Sequence, residues 1–144
     1  MKIRHLLLTL AAFIILGTVA SCKKEDKKSK TELLTAASWK VKATVAVSGS
    51  TSIDLFSTQD ECYKDNLYSF KTDNTIVIDE GAKKCDEEDD QSYSADWSFA
   101  ENETKLIIDE QNLTLESLTA SELKLSYTST ENDITYTYTI TFGH

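Results

Sequence analysis

The sequence predicts a small all-β domain, an eight-stranded antiparallel up-and-down β-barrel preceded by a short N-terminal helix. Three observations predict this class. Apolar and polar residues alternate along several stretches, most clearly from Ile134 to Phe142, where threonines fill the alternate positions. The chain contains no proline and only 4 glycines, and the links between most stretches are short. An open sandwich of the same strands is the alternative to a barrel.

Eight stretches carry the strand pattern. In the first, Val41, Ala43, Val45 and Val47 alternate with mostly polar residues after Trp39. In chain order the eight stretches are Trp39–Val47, Leu67–Lys71, Thr75–Asp79, Tyr93–Phe99, Lys105–Asp109, Leu113–Leu118, Leu123–Tyr127 and Ile134–Phe142.

The link at residues 72–74 (Thr-Asp-Asn) predicts a three-residue hairpin loop with its asparagine in the left-handed conformation. This loop would pair Phe70 with Ile76 and Tyr68 with Ile78. Both pairs would then share one face of the sheet, so the turn chemistry and the apolar pattern agree.

Two further features complete the predicted architecture. Ser29 and Glu32 have the spacing of a capping box, which predicts a short helix before the first strand. The one long link runs from residue 48 to residue 65, and long links in compact domains are often lids or binding loops. Its apolar residues Ile53, Leu55 and Phe56 are expected to fold back onto the mouth of the barrel.

The N-terminus has the layout of a secretory signal, predicted to occupy residues 1–21. Lys2 and Arg4 precede the uncharged residues 6–16, and small residues lead to Cys22. The uncharged run is shorter than the roughly 20 residues that a spanning helix needs. The residues before Cys22 resemble a bacterial lipobox, in which the cysteine thiol receives a diacylglycerol. An ordinary signal with a chance cysteine is the alternative.

Residues 22–30 are predicted to form a lipidated flexible tether, and residues 31–144 the folded domain. The tether is rich in lysine and contains no apolar residue after Cys22. Acyl chains on Cys22 would anchor the protein to a membrane. Residues 24–26 (Lys-Glu-Asp) resemble a signal that sends lipoproteins to the outer face of the outer membrane. We therefore expect the protein in the cell envelope, anchored to the outer membrane and exposed at the surface.

The charge of the chain excludes one class of partner. Without the signal, 13 basic residues face 24 acidic ones, so the formal charge of the mature chain is −11. Such a chain would repel nucleic acid, whose binding depends on lysine and arginine at the phosphates. The sequence does not indicate a particular protein partner.

Cys62 and Cys85 flank the predicted hairpin and are expected to form a disulfide, because the export signal places the domain outside the reducing cytosol. The register of the hairpin falls one position short of pairing them, and an irregularity near Gly81 would close that gap. Free thiols or a metal-binding pair are the alternatives.

The sequence contains little that could support catalysis, so no enzyme, no cofactor and no metal site is predicted. His5 leaves with the signal, and His144, the last residue printed, is expected to fray. A nucleophile–histidine set is therefore missing. The acidic residues 86–90 lack the glycine and final glutamate of an EF-hand. They are expected to form a solvated loop, with weak calcium binding as the alternative.

Several short motifs together resemble the lipocalin-like domain family of Bacteroidota lipoproteins. The glycine that lipocalins usually carry two residues before their tryptophan is replaced by Ala37. The motifs are Leu33-Leu34-Thr35, Trp39, Cys62 with Asp65, Phe70 before Asp73-Asn74-Thr75, Cys85, Trp97-Ser98-Phe99, and Leu118-Thr119 before Leu123.

The resemblance implies a barrel that can hold a small apolar molecule. An eight-stranded barrel is just wide enough to be filled by its own side chains or to hold one small ligand. In the alternative, the barrel is filled and the protein acts as a non-enzymatic interaction or scaffold protein at the cell surface. The candidate ligand-binding residues are the inward aromatic residues Tyr68, Phe70, Trp97, Tyr127, Tyr136 and Tyr138.

Overall fold

A computed structural model describes residues 27–144. The predicted signal, Cys22 and the first residues of the tether lie outside this range. The described part contains two short helices and nine strands. They are α1 (Lys30–Leu34), β1 (Lys40–Ser48), β2 (Thr51–Asp54), α2 (Glu61–Lys64), β3 (Leu67–Phe70), β4 (Thr75–Asp79), β5 (Ser92–Ala100), β6 (Lys105–Ile108), β7 (Gln111–Leu118), β8 (Glu122–Glu131) and β9 (Ile134–Gly143).

The strands form one antiparallel sheet in the order β2-β1-β9-β8-β7-β6-β5-β4-β3. Sequential strands from β3 to β9 are neighbours, which gives the predicted up-and-down arrangement. The all-β class is confirmed, but the strand ladders do not close into a barrel. In residues 27–144, an isolated bridge joins Tyr68 of the edge strand β3 to Trp39, the residue before β1. Each backbone nitrogen of this pair donates to the other residue's carbonyl oxygen, at 2.8 and 2.9 Å.

The sheet has nine strands because the long link between β1 and β3 contains β2. All four residues of β2 are exposed, so this strand lacks the alternation of a half-buried strand. It pairs with the end of β1 across a turn in which Gly49 has a φ of +58°. After β2 the chain returns to β1, where the backbone nitrogens of Leu55 and Phe56 donate to the Thr44 carbonyl oxygen at 2.9 and 3.3 Å.

A β-bulge in β1 changes which side chains face the inside of the curved sheet. The register of β1 against β9 shifts between Val41 and Ala43. Beyond the shift, Ala46 is 3% exposed whereas Val47 is 38% exposed. The predicted alternation, with Ala43, Val45 and Val47 on the same face as Val41, is therefore wrong. The extra residue at the bulge moves every later side chain of β1 to the opposite face.

Two local predictions are confirmed. The loop between β3 and β4 has Asn74 at a φ of 71°, and it pairs Phe70 with Ile76. At the start of α1, the Ser29 hydroxyl accepts from the backbone nitrogen of Glu32, and the Glu32 carboxylate accepts from that of Ser29 at 2.7 Å. Both arise from contacts within a few residues, which explains why the sequence predicts them.

One end of the domain is filled by a buried cluster around Trp39. The Trp39 indole nitrogen donates to the Leu34 carbonyl oxygen at 2.9 Å, and both residues are completely buried. The prediction that His144 frays is wrong. Its ring packs against Trp39, with the two ring centroids 4.1 Å apart. Its two ring nitrogens also lie 2.8 and 3.1 Å from the carbonyl oxygens of Ser38 and Ala120.

A disulfide joins Cys62 of α2 to Cys85, as predicted, with their Cα atoms 5.1 Å apart. The segment after β4 turns back through Gly81, which has a φ of +71°. There the Asp65 carboxylate accepts hydrogen bonds from the backbone nitrogens of Ala82 and Lys83, at 2.9 and 3.0 Å. The covalent bond and these hydrogen bonds fix α2 against the segment that follows β4.

Candidate ligand-binding cavity

The inside of the curved sheet contains a cavity of about 830 Å³. Every strand except β2 contributes to its lining, and it falls within the size range of small-molecule sites. Its deepest lining consists of buried apolar side chains. These floor residues are Phe70, Ile76, Ile78, Leu113, Leu125 and Phe142.

The remaining surface of the cavity includes an exposed rim of mixed chemistry, which we call the mouth. Tyr63 is 49% exposed and Tyr93 is 57% exposed. Asp109 and Glu110 form the tight turn between β6 and β7, with φ values of 47° and 66°. The complete mouth consists of Gln59, Tyr63, Tyr93, Asp109, Glu110 and Gln111.

Three of the six candidate aromatic residues line the cavity, namely Tyr68, Phe70 and Tyr127. The Tyr68 ring meets the Phe142 ring edge-on, with centroids 5.3 Å apart. Such edge-to-face packing fixes ring orientation. The Tyr68 and Phe142 part of the wall is therefore held by packing between side chains of the sheet.

The other three candidates lie outside the lining of this cavity. Trp97 packs edge-on against Phe70 and is buried, with its indole nitrogen donating to two backbone carbonyl oxygens at 3.0 and 3.1 Å. Tyr138 stacks on Tyr127 with centroids 4.8 Å apart, outside the cavity lining. Tyr136 lines a separate groove of about 220 Å³ together with exposed residues of the β1–β2 and β8–β9 hairpins. These side chains share the inner face, but strand alternation says nothing about depth along the strand.

Sequence reasoning also missed much of the actual lining. Ile78 and Leu125 were detectable, because each lies in phase with a candidate tyrosine on its own or the neighbouring strand. Tyr63 and Asp109 carried no such signal, since one lies on a short helix in a long link and the other in a turn. Only the folding of these segments over the sheet brings them to the cavity.

The pKa values of three tyrosines that line the cavity are raised by burial and by neighbouring groups, including acidic side chains. Burial is the main cause that raises the pKa of Tyr68, and the neighbouring Tyr93 adds to the effect. The pKa of Tyr93 is raised by burial and then by the negative charges of Asp109 and Glu80. The pKa of Tyr127 is also raised by burial first, followed by Tyr138 and Glu131. These hydroxyls therefore remain protonated donors at neutral pH.

The acidic residues 86–90 form exposed turns between β4 and β5. The Lys84 ammonium group donates to the backbone carbonyl oxygens of Glu87 and Asp89. Within residues 27–144, no three histidine, cysteine or acidic side chains come together as a metal site would require.

Neither helix of this part of the chain is long and apolar enough to cross a membrane.

Comparison with known proteins adds no family assignment. No protein-family description matches the chain, and no curated protein matches it. The resemblance to lipocalin-like lipoproteins therefore stays a prediction from the motifs.

Proposed function

We propose that this protein is a membrane-anchored lipoprotein whose lipocalin-like domain binds a small apolar ligand in the cavity. The observation that carries the proposal is a cavity of about 830 Å³ with a floor of buried apolar side chains. Burying apolar surface in such a site would stabilise a complex by roughly 25 cal/mol for each Å² removed from water. This role is binding, and it requires no catalytic group.

The cavity supports the first of the two functions considered from the sequence, ligand binding. A scaffold with a filled barrel predicts that inward aromatic side chains occupy the interior. Trp97 does lie in the buried core, where it packs against Phe70, and Tyr138 stacks on Tyr127. A space of about 830 Å³ is nevertheless left inside the sheet. The remaining space supports ligand binding over the scaffold role.

We further propose that the sheet acts as a barrel although its ladders stop short of closure. The bridge between Trp39 and Tyr68 supports this, because it joins β3 to the start of β1 by two backbone hydrogen bonds. Beyond the bridge, residues of the segment between β2 and β3 line the cavity, including Gln59 and Tyr63. This segment would cover the gap between β3 and β1, where a closed barrel would have continuous backbone hydrogen bonds.

The proposed anchor rests on the sequence alone. Acylation at Cys22 would hold the domain at the outer membrane by a tether of fewer than ten residues that ends at α1. The ligand would then be taken up or presented close to the membrane surface, from the cell envelope or from outside the cell.

The proposal is tested by filling the cavity. Ala95 lines it, whereas Ser94, the preceding residue of β5, is exposed on the opposite face. We expect the neutral dye N-phenyl-naphthylamine to bind the purified protein at one saturable site with enhanced fluorescence. Ala95→Trp should weaken this binding at least about ten-fold by removing cavity volume, and Ser94→Trp should leave it unchanged.

Thermal unfolding of both variants shows whether they fold, and Ala95→Leu provides a milder filling if the tryptophan is not tolerated. Native mass spectrometry of the untreated protein is a second measurement, in which a small apolar molecule should co-purify. Dye binding that is absent, or that both tryptophan variants reduce equally, would contradict the cavity as a ligand site.

A further inference from the structure

We infer that the cavity selects amphiphiles with a positively charged head group, such as a primary alkylamine, over carboxylates with the same apolar chain. This inference rests on the proposed function and specifies the ligand class. It follows from the charge and aromatic character of the mouth, where the head group of a ligand with a buried chain would lie.

The charged side chains that line the cavity are both acidic. They are Asp109 and Glu110, and no lysine or arginine is among the lining residues. Both belong to the same exposed turn and border the opening. An ammonium group at the mouth would be attracted by both carboxylates, and a fatty carboxylate would be repelled by both.

The negative bias extends beyond these two carboxylates. Glu80 acts on Tyr93 in the same sense as Asp109, and Glu131 acts on Tyr127. The tyrosines contribute further, because the face of an aromatic ring attracts cations. Tyr93 belongs to the mouth, so a cationic head group there would lie near an aromatic ring as well as the two carboxylates.

The one basic side chain of α2, Lys64, is paired with an acidic residue of the same helix. The Lys64 ammonium group lies 2.9 Å from a Glu61 carboxylate oxygen and 5.6 Å from the Phe56 ring centroid. Lys83 approaches the other Glu61 oxygen at 3.8 Å. These contacts hold the two lysines at Glu61, and neither lines the cavity.

The test compares three probes with the same alkyl chain and different head groups, namely dodecylamine, dodecanol and dodecanoate. Isothermal titration calorimetry on the purified protein, at neutral pH, low salt and concentrations below micelle formation, measures each affinity. We expect dodecylamine to bind at least about ten-fold more tightly than dodecanoate, with dodecanol between them. The difference should shrink in about 1 M salt, where screening acts over roughly 3 Å.

A charge-neutralised variant and a matched control locate the effect. Asp109→Asn with Glu110→Gln should lower the affinity for dodecylamine and raise that for dodecanoate, while dodecanol binding stays the same. Glu101→Gln with Glu103→Gln removes the same net charge from the β5–β6 turn, which does not line the cavity. This control should leave the preference for the amine intact.

The outcomes separate the inference from the proposed function. If none of the three probes binds, the proposed apolar-ligand function fails. If all three bind with similar affinity, or dodecanoate binds best, the cavity remains a ligand site and the selection for cations is wrong. Equal loss of the amine preference in both double variants would also refute the inference, because the effect would then come from net charge and not from the mouth.

Discussion

Removal of the disulfide is the perturbation whose effect is best defined by the structure. Cys62 and Cys85 enclose a loop with a sequence separation of 23 residues, and this loop contains β3, β4 and the hairpin between them. Replacing both cysteines with serine removes no side chain from the buried core, since neither cysteine belongs to it. The main effect is expected on the unfolded chain, which gains the freedom that the crosslink denied it.

The magnitude follows from the length of this loop. Loop-closure entropy for 23 residues corresponds to about 3.4 kcal/mol at 25 °C. With an unfolding entropy of about 2.1 cal/mol/K per residue over roughly 115 residues, this loss lowers the melting temperature by about 14 °C. Ligand affinity should fall as well, because Tyr63, adjacent to Cys62, lines the cavity.

Calorimetry measures the melting temperature, and urea unfolding measures the free energy of unfolding. The double serine variant and the reduced wild-type protein should have the same midpoint, and reductant should not affect the variant. If reduction leaves the wild-type midpoint within about 3 °C of the oxidised value, the loop-closure argument is wrong. A variant that differs strongly from reduced wild type would instead show that the substitution, and not the loss of the crosslink, causes the change.

Two further predictions concern a turn and a buried hydroxyl. Gly81→Ala should destabilise the protein by about 3 kcal/mol in urea unfolding, because its Cβ would lie 2.6 Å from the Asp65 carbonyl oxygen at a φ of +71°. Gly49→Ala has a φ of +58° but nothing within 4 Å, so it should cost only about 1 kcal/mol, and equal losses would refute the steric argument. Because the pKa of Tyr68 is raised above 10.0, mainly by burial, its contribution to stability is present below about pH 10 and lost as the pH rises further. Tyr68→Phe should reduce the slope of unfolding free energy against pH above about pH 10, and an unchanged slope would contradict this assignment.

Much of the sheet is predictable from local patterns. Alternation along Ile134–Phe142 corresponds to β9, and the loop ending in Asn74 sets the register of β3 and β4 as expected. In both cases residues close in sequence provide the information, either by side-chain period or by turn geometry. The strand β2 escaped detection because its residues are exposed on both faces, so its pairing depends on the end of β1.

The candidate site was only partly predictable. Tyr68 and Tyr127 line the cavity, but Tyr136 lies at a separate groove on the same face of the sheet. Inward orientation follows from alternation, whereas depth depends on the curvature of the sheet and on the elements that close its ends. The acidic turn at Asp109 could not be recognised as part of the site before the strands were arranged in space.

By itself, the sequence determined the all-β class, most strand positions, the capped helix and the pairing of Cys62 with Cys85. These features depend on periodicity, on turn and cap chemistry, and on the number of cysteines that remain in the domain. Only the tertiary structure decided the bulge after Val41, the ninth strand and the cavity with its acidic mouth. The physical reason is that strand curvature and close packing bring together residues distant in the chain, and no local pattern encodes the space left between them.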